Sequence, residues 1–214
     1  MRIVLIGEGG HSKVIKDIID SIKGYEIIGV LDDKYEKTHV KENLFFAPLS
    51  TGSNLLNHFT DIKFIIAIGD NHVRKKIVHQ LNIPDSFYVT LQHPSSIISS
   101  STQIGVGTVI MPFSVINADA RIGRHSIINT GAVIEHDNNI GDFVHISPHA
   151  TLTGSVKVEE GVHIGAGSTL IPNVEIGEWS VIGAGATAIN NIPPHSLAVG
   201  TPAMLKNKIG LGGV

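Results

Sequence analysis

The chain has 214 residues with a net charge of −3, and it contains no cysteine. A charged fraction of 16% with this sign excludes a broad basic surface for nucleic acid, and the absence of cysteine excludes disulfides, thiolate metal sites and a cysteinyl nucleophile. No apolar run approaches the ~18 residues of a membrane span, and the apolar start is too short for a signal peptide, so we expect a soluble cytoplasmic protein.

Residues 1–92 alternate between strand-like and helix-like segments, which predicts a Rossmann-like α/β domain with a small parallel sheet. The stretch between Lys34 and Asp61 predicts no clear element. The expected strands are Arg2–Ile6, Glu26–Leu31, Phe64–Ile68 and Phe87–Leu91, and the expected helices are His11–Ile22 and His72–Leu81.

Two polar segments of this domain follow predicted strands. The turn from Gly7 to Gly10 opens a helix, as a phosphate-binding turn does. Asp32 and Asp33 end the second strand, where acids can bind ribose hydroxyls or a base edge. The small size of the domain suits a mononucleotide better than a dinucleotide. A purely structural alternative stays open: the glycines form a tight turn and the acids cap the next segment.

From Ile98 onward, every sixth residue is aliphatic, and the residue four positions later is mostly small or β-branched. This period fits a chain that turns a corner after each short strand, with three strands to a coil. The aliphatic residues should point inward, and the glycines that often follow them should permit the bends. The repeat predicts a β-helix domain over residues 93–214. Its aliphatic positions are Ile98, Ile104, Ile110, Ile116, Ile122, Ile128, Ile134, Ile140, Ile146, Leu152, Val158, Ile164, Leu170, Ile176 and Ile182, with Ala188 as the sixteenth.

Residues eighteen apart should stack in adjacent coils of such a helix. His145 then lies against His163 at a shared corner position, and His136 lies against Gly154. The segments 165–167 and 183–185, both Gly-Ala-Gly, suit a groove for a thin ligand. The simpler alternative, that these glycines only form corners, remains open.

Among the 12 histidines, His136 stands out because the repeat rule lapses beside it, although a single histidine in such a repeat is more often an ordinary surface residue. It follows Ile134 and Glu135 directly, and it precedes Asp137 and Asn138. Asn138 places an amide in the slot that small residues fill elsewhere. Because the chain has no cysteine, an acyl transfer would proceed more simply by direct attack of the acceptor on an acyl thioester than through an acyl-enzyme intermediate.

The hexapeptide block and the segment Ile192-Pro193-Pro194 to Ala203 together resemble the bacterial hexapeptide-repeat acyltransferases. The Ile-Glu-His-acid segment and the glycine-histidine turn at residues 9–11 resemble a narrower branch. That branch comprises the UDP-4-amino-sugar N-acetyltransferases and the related sialic acid O-acetyltransferases. The resemblance implies a left-handed parallel β-helix, a homotrimer and acetyl-CoA as co-substrate. It also implies N-acetylation of a UDP-linked amino-sugar for surface glycan or polysaccharide synthesis.

Residue roles are carried over from the same resemblance. His136 is expected to be the general base, and Asp137 is expected to raise the basicity of His136. The remaining residues divide between the two substrates: His145, Ala166 and Ala184 for acetyl-CoA, and Gly9, Gly10, His11, Asp32, Asp33 and Gly69 for the nucleotide sugar.

Three alternatives remain open on the sequence. One is O-acetylation of sialic acid or another sugar, and one is a non-catalytic sugar-nucleotide sensor or scaffold. The third is a zinc site at His145, His149 and His163, as in the γ-class carbonic anhydrases of this fold. The proline-rich exit and the additional N-terminal domain argue against zinc, so we expect no metal.

Overall fold

The computed structural model describes residues 1–208, with side chains described through residue 206. The chain divides into two compact units, Met1–Leu91 and a second that begins at Gln92. No helix within residues 1–208 has both the length and the apolar character to cross a bilayer. The last six residues of the expected β-helix domain, 209–214, lie outside the described residues.

The first unit combines a five-stranded sheet with three α-helices. The strand order is β3-β4-β2-β1-β5, in which β1 pairs in parallel with β2 and β5, and β3 is antiparallel at one edge. The strands are β1 (Arg2–Ile6), β2 (Glu26–Leu31), β3 (His39–Lys41), β4 (Leu44–Ala47) and β5 (Ile62–Ile66), and the helices are α1 (Gly10–Ser21), α2 (Gly52–Leu55) and α3 (Asn71–Leu81), with 3₁₀ turns at Leu49–Thr51 and Asp85–Phe87.

Three details of this unit differ from the sequence-based prediction. Strand β5 begins and ends two residues earlier than predicted. The predicted strand Phe87–Leu91 is wrong, because this segment follows a 3₁₀ turn and pairs with β5 only through a Tyr88–Phe64 bridge. The stretch without a predicted element contains the β3–β4 hairpin, whose turn residues Glu42 and Asn43 both have positive φ. A hairpin turn of this kind is usually signalled by glycine, which the sequence lacks here.

The second unit is a left-handed parallel β-helix, which confirms the predicted fold. Its strands, most of them two residues long, form three sheets, named here faces A, B and C. Face A comprises Ile97–Ile98, Val115–Ile116, Val133–Ile134, Thr151–Leu152, Thr169–Leu170 and Thr187–Ala188; face B comprises Gln103–Ile104, Arg121–Ile122, Asn139–Ile140, Lys157–Val158 and Glu175–Ile176; face C comprises Leu91–Gln92, Val109–Ile110, Ile127–Ile128, His145–Ile146, His163–Ile164, Val181–Ile182, Ser196–Val199 and Met204–Lys208.

Residues eighteen apart pair between adjacent coils, and the sixth-residue aliphatics fill the interior. From Ile110 to Ala188, the aliphatic at the end of each strand is at most 4% exposed. Only the first two, Ile98 and Ile104, are partly exposed. The interior is therefore continuous along the helix axis, and its burial holds the coils together.

The glycines that follow the aliphatics have a different role from the one predicted. Gly105, Gly123 and Gly141 are not among the positive-φ residues. They are needed because the next coil is close: a Cβ at Gly123 would lie 2.4 Å from the carbonyl carbon of Gly141. From Ile104 to Ile182, the bends come from the residue three positions after the aliphatic, which has positive φ, as at Asp119 with φ 61° and Asp137 with φ 59°.

Candidate active site

His136 and Asp137 lie at the corner where face A ends and the chain turns toward face B. His136 Nδ1 and Asp137 Oδ2 are 2.7 Å apart. Adjacent residues of an extended strand point to opposite faces, but the left-handed conformation of Asp137 turns its carboxylate back toward the imidazole. The structure therefore brings the two predicted catalytic side chains into direct contact.

The electrostatics of this pair suit proton transfer. The hydrogen bond to Asp137 raises the pKa of His136, and the negative charges of Asp137 and Glu135 act in the same direction. The side chains remain open to solvent, at 60% exposed for His136 and 58% for Asp137. With Nδ1 bonded to a carboxylate, Nε2 is the ring atom left to accept a proton from a substrate.

Gly154 of the next coil provides the surface on which the imidazole rests. A Cβ at Gly154 would lie 2.7 Å from both Cε1 and Nε2 of His136. The predicted stacking of His136 on Gly154 is thus present. Glycine occupies position 154 because a side chain there would clash with the imidazole. Any larger residue at position 154 would displace the ring that carries the candidate base.

His145 and His163 stack with ring centroids 4.8 Å apart and an interplanar angle of 12°. They lie in adjacent strands of face C, so the expected corner position was wrong while the stacking was right. The reason is that each histidine immediately precedes its aliphatic, and that slot is within the strand. Each imidazole ring therefore covers one face of the other.

Asn129 is a functional candidate that sequence reasoning missed. Its Oδ1 accepts the backbone N–H of Thr130 at 2.8 Å, so its NH₂ group faces His145 Nε2 at 3.0 Å. His145 Nε2 is then the acceptor, and the ring proton lies on the buried Nδ1. The available signal was an amide where the next two coils have Ser147 and Gly165.

Ala166 and Ala184 lie at equivalent places in adjacent coils, at the corner after face C. Both are exposed, as are the glycines that follow them. Gly167 and Gly185 have positive φ, and no atom lies within 4 Å of where either Cβ would be. The glycines are therefore corner residues, as the simpler alternative held, and they also leave open space beside the two alanines.

The chain leaves the β-helix along face C. Ser196–Val199 pairs in parallel with Val181–Ile182, and it pairs antiparallel with Met204–Lys208. The segment resembling an acyl-CoA exit therefore continues the same sheet that carries His145 and His163.

In the first unit, the glycine turn connects β1 to α1. Gly7 has φ 97°, and a Cβ there would lie 2.5 Å from Ile68 Cγ1, so the turn requires glycine at this position. Gly9 is the N-cap of α1 without a side-chain cap, and Gly10 is its first residue. No atom lies within 4 Å of a Cβ at Gly9 or Gly10, which leaves the helix N-terminus open to a ligand.

Asp32 and Asp33 already bind backbone groups. Asp32 accepts the N–H of Glu8 at 2.7 Å and that of Lys34 at 3.0 Å. Asp33 Oδ1 accepts the N–H of Leu49 at 3.2 Å. Both acids therefore have a structural role at the end of β2, and Asp32 links that end to the glycine turn. Each carboxylate oxygen keeps a second lone pair for a ligand.

Glu8 of the glycine turn gathers further charged and polar groups that sequence reasoning missed. It forms an ion pair with Lys34 at 2.7 Å and accepts a hydrogen bond from the Tyr35 hydroxyl. Burial raises the pKa of Glu8, but the hydrogen bonds from Lys34 and Tyr35 outweigh this, and the pKa is lowered overall. Glu8 thus fixes the segment after β2 against the turn.

His11 and Gly69 lie near a buried cation, Arg74. The Arg74 side chain donates to the carbonyl oxygens of Gly69 at 2.9 Å and Ile68 at 3.2 Å. Burial lowers the pKa of Arg74 to about 9. Burial and the charge of Arg74 lower the pKa of His11 to about 4. His11 is therefore a neutral imidazole near neutral pH, able both to donate and to accept a hydrogen bond.

Among residues 1–208, no three histidine, aspartate or glutamate side chains come together in a metal-binding arrangement. His149 is exposed at a corner, with φ 57°, whereas His145 and His163 lie within strands. The three histidines considered for zinc are thus divided between a sheet face and a corner.

Two family models match the chain. The PglD N-terminal domain matches residues 2–81, and the bacterial transferase hexapeptide (six repeats) matches residues 101–136 and 155–189. Among curated proteins, the UDP-N-acetylbacillosamine N-acetyltransferase of Bacillus subtilis is 45% identical over 110 residues. That alignment spans 51% of this chain and 51% of the relative, or about half the length of each.

Solved structures match over nearly the whole chain. PerB from Caulobacter crescentus, in complex with CoA and GDP-perosamine, is 33% identical with a TM-score of 0.87, covering 97% of this chain and 98% of that one. The acetyltransferase domain of PglB from Neisseria gonorrhoeae, in complex with acetyl coenzyme A, is 30% identical with a TM-score of 0.83, covering 96% and 98%. The family resemblance is thereby confirmed. The chain belongs to the hexapeptide-repeat sugar N-acetyltransferases, a family of acetyl-CoA-dependent acyltransferases.

Proposed function

We propose that this protein transfers an acetyl group from acetyl-CoA to the amine of a nucleotide-linked amino-sugar. The observation that carries the proposal is the 2.7 Å contact between His136 Nδ1 and Asp137 Oδ2 at a solvent-open corner. A histidine with a raised pKa and a free Nε2 is what direct attack by an amine requires. The name of the Bacillus subtilis relative describes a UDP-linked sugar. We propose that the substrate of this protein is also a UDP-linked sugar. The acetylated product would serve surface glycan or polysaccharide synthesis.

In this mechanism, the sugar amine forms a bond to the acetyl carbon as the carbon–sulfur bond breaks. His136 Nε2 accepts the proton that the amine loses, and Asp137 stabilises the resulting imidazolium through Nδ1. The accepted proton can then neutralise the departing thiolate. Acetyl-CoA supplies the activated acetyl group, and every other contribution comes from the orientation and basicity of the pair.

We assign acetyl-CoA to the corner beside Ala166 and Ala184, with His145 as a further contact. The open space at Gly167 and Gly185 supports this assignment, because a thin pantetheine arm needs a surface without side chains. The Asn129 amide holds the His145 ring through Nε2.

We assign the nucleotide sugar to the first unit. Gly9 and Gly10 leave the N-terminus of α1 open for phosphate, and neutral His11 and the Gly69 turn held by Arg74 lie near it. Asp32 and Asp33 use their remaining acceptor capacity for ribose or base groups. A cytoplasmic location fits this pair of substrates.

A homotrimer completes the proposal. The outer surface of face A includes Ile97, which is 67% exposed, and the adjoining corner carries Phe113, which is 71% exposed. In the proposed trimer these two side chains lie in the subunit interface, where association removes them from water. Light scattering should give the mass of three chains, and the mass of a single chain would refute the trimer.

The decisive experiment replaces His136 by alanine. We expect turnover of a UDP-4-amino-sugar with acetyl-CoA to fall by ~10²–10⁴, the usual effect of losing a general base, with little change in acetyl-CoA affinity. Activity near that of the unmodified enzyme would refute the role of His136. The matched control is His149→Ala, which removes an exposed corner imidazole that has no proposed role and should leave turnover unchanged.

The same assay separates the alternative activities. An O-acetyltransferase would consume acetyl-CoA with sialic acid or another sugar and ignore the nucleotide-linked amine. A sensor would bind the nucleotide sugar without consuming acetyl-CoA. Either result would overturn the proposed N-acetylation.

A further inference from the structure

Asn138 is an exception within an otherwise small or apolar column of the β-helix. The equivalent positions in the other coils are Thr102, Ala120, Val156 and Val174. Asn138 is 1% exposed, and its Oδ1 is buried without a hydrogen-bond partner among the described residues. Burying an amide oxygen in this way is unfavourable, so packing alone does not explain an asparagine in this slot.

The NH₂ group of Asn138, by contrast, is fully engaged. Nδ2 donates to the carbonyl oxygens of Glu135 at 2.7 Å and Thr153 at 2.9 Å, and it approaches that of His136 at 3.4 Å. The Thr153 bond joins two coils across fifteen residues. Thr102 makes the same type of bond to Asn117, with its hydroxyl. Compared with Thr102, the Asn138 amide adds the hydrogen bonds to the carbonyl oxygens of Glu135 and His136.

Those two carbonyls belong to the segment that carries the catalytic pair. Glu135 and His136 immediately precede the left-handed Asp137, and the amide spans the bend from its inner side. Fixing these peptide groups fixes the direction in which the His136 side chain leaves the backbone. The imidazole is 60% exposed and is held by Asp137 and by the surface at Gly154, so its orientation also depends on the backbone beneath it.

We infer that Asn138 is a positioning residue, which holds the 135–137 bend so that the His136 imidazole and the Asp137 carboxylate meet. The inference rests on the proposed role of His136 as general base. Asn138 is 1% exposed, so its effect passes through the backbone of the residues it binds.

The test is Asn138→Thr, because threonine at Thr102 shows that the column accepts this residue and keeps the bond between coils. The variant loses the bonds to the 135 and 136 carbonyls. We expect kcat to fall ~10- to 100-fold, the scale of a small misplacement of a catalytic group, with KM for acetyl-CoA unchanged. The acid limb of the pH profile should also move to lower pH, because a looser contact with Asp137 raises the His136 pKa less.

Two comparisons make the result decisive. Thr102→Val removes the corresponding bond between coils far from His136 and should leave kcat and the pH profile unchanged. Asn138→Ala, chosen because the preceding coil has Ala120 in this slot, should reproduce the kcat loss and serves if the threonine variant does not fold. Full kcat and an unshifted pH profile in a folded position-138 variant would overturn the inference while leaving the proposed function intact. If the unmodified enzyme and His136→Ala are equally inactive, the proposed function itself has failed.

Discussion

At the scale of single residues, the central feature is that His136 and Asp137 are neighbours in sequence and also partners in space. This combination is available only because Asp137 is left-handed, with φ 59°. Asp and Asn adopt this conformation more readily than most side chains. An aspartate at this place in the repeat therefore serves two purposes, forming the corner and presenting its carboxylate to the preceding histidine.

The His136–Asp137 contact predicts how kcat/KM depends on pH. Only neutral His136 can accept a proton, so kcat/KM should rise with pH through the pKa of the free enzyme's imidazole. Asp137 raises that pKa, and Asp137→Asn should therefore move the acid limb to lower pH. The plateau should also fall, because the weaker base has lost its orienting partner. Measuring kcat/KM from pH 5 to pH 9 (about the range that brackets a histidine) reveals both effects.

The control for this prediction is Asp119→Asn. Asp119 occupies the same corner one coil earlier, also left-handed, and the residue before it is Ala118. An equal shift of the acid limb in both variants would mean that Asp137 acts through general surface charge and not through its contact with His136.

At the scale of elements, each hexapeptide is a two-residue strand followed by a left-handed bend, and this fixes what each slot tolerates. In five of the coils' repeats the slot after the aliphatic lies against the backbone of the next coil, so glycine is required there by close approach, at Gly105, Gly123, Gly141, Gly165 and Gly177. The slot three positions after the aliphatic is left-handed from Gly107 to Gly185, and it is filled by Gly, Asp, Asn, Ser, His and even Phe or Trp. Bulky residues in this conformation show that stacking between coils outweighs the local preference of the backbone.

The close approach of the coils predicts that Gly123→Ala destabilises the β-helix. The new Cβ would lie 2.4 Å from Gly141 C and 2.5 Å from Asp142 N, both backbone atoms that cannot move without separating the coils. Overpacking of this kind costs about 1–3 kcal/mol, measurable by chemical denaturation. Gly141→Ala is the comparison, because its closest backbone contact would be 2.8 Å and its loss should be smaller. An equal or greater loss at position 141 would contradict the close-approach explanation.

At the scale of the whole molecule, two units of different architecture share one chain, and we have assigned one substrate to each. The assignment predicts that the two ligands stabilise the protein independently. At a concentration of 100 Kd, each ligand adds about 2.7 kcal/mol to the stability of the state that binds it. Thermal unfolding should therefore shift upward with a UDP-sugar and with acetyl-CoA separately.

Variants identify which unit holds which ligand. Gly10→Asp places a negative charge at the first residue of α1 and should abolish the shift with the UDP-sugar only. Ala184→Trp fills the open corner of the β-helix and should abolish the shift with acetyl-CoA only. If either variant removed the response to the other ligand, the assignment of one substrate to each unit would be wrong.

The sequence by itself determined the three-strand coil, its register and its interior, because a strict period of six with one aliphatic per repeat buries those side chains when the chain turns a corner after each short strand. The period did not determine the handedness of the coil. The sequence also singled out His136 and the unusual amide at Asn138. The tertiary structure alone decided how these residues act together. The His136–Asp137 contact, the Asn129 amide that orients His145, and the neutral His11 beside buried Arg74 all depend on backbone direction and on neighbours distant in sequence. Such effects arise from burial and from left-handed bends, which a pattern of residue types does not specify.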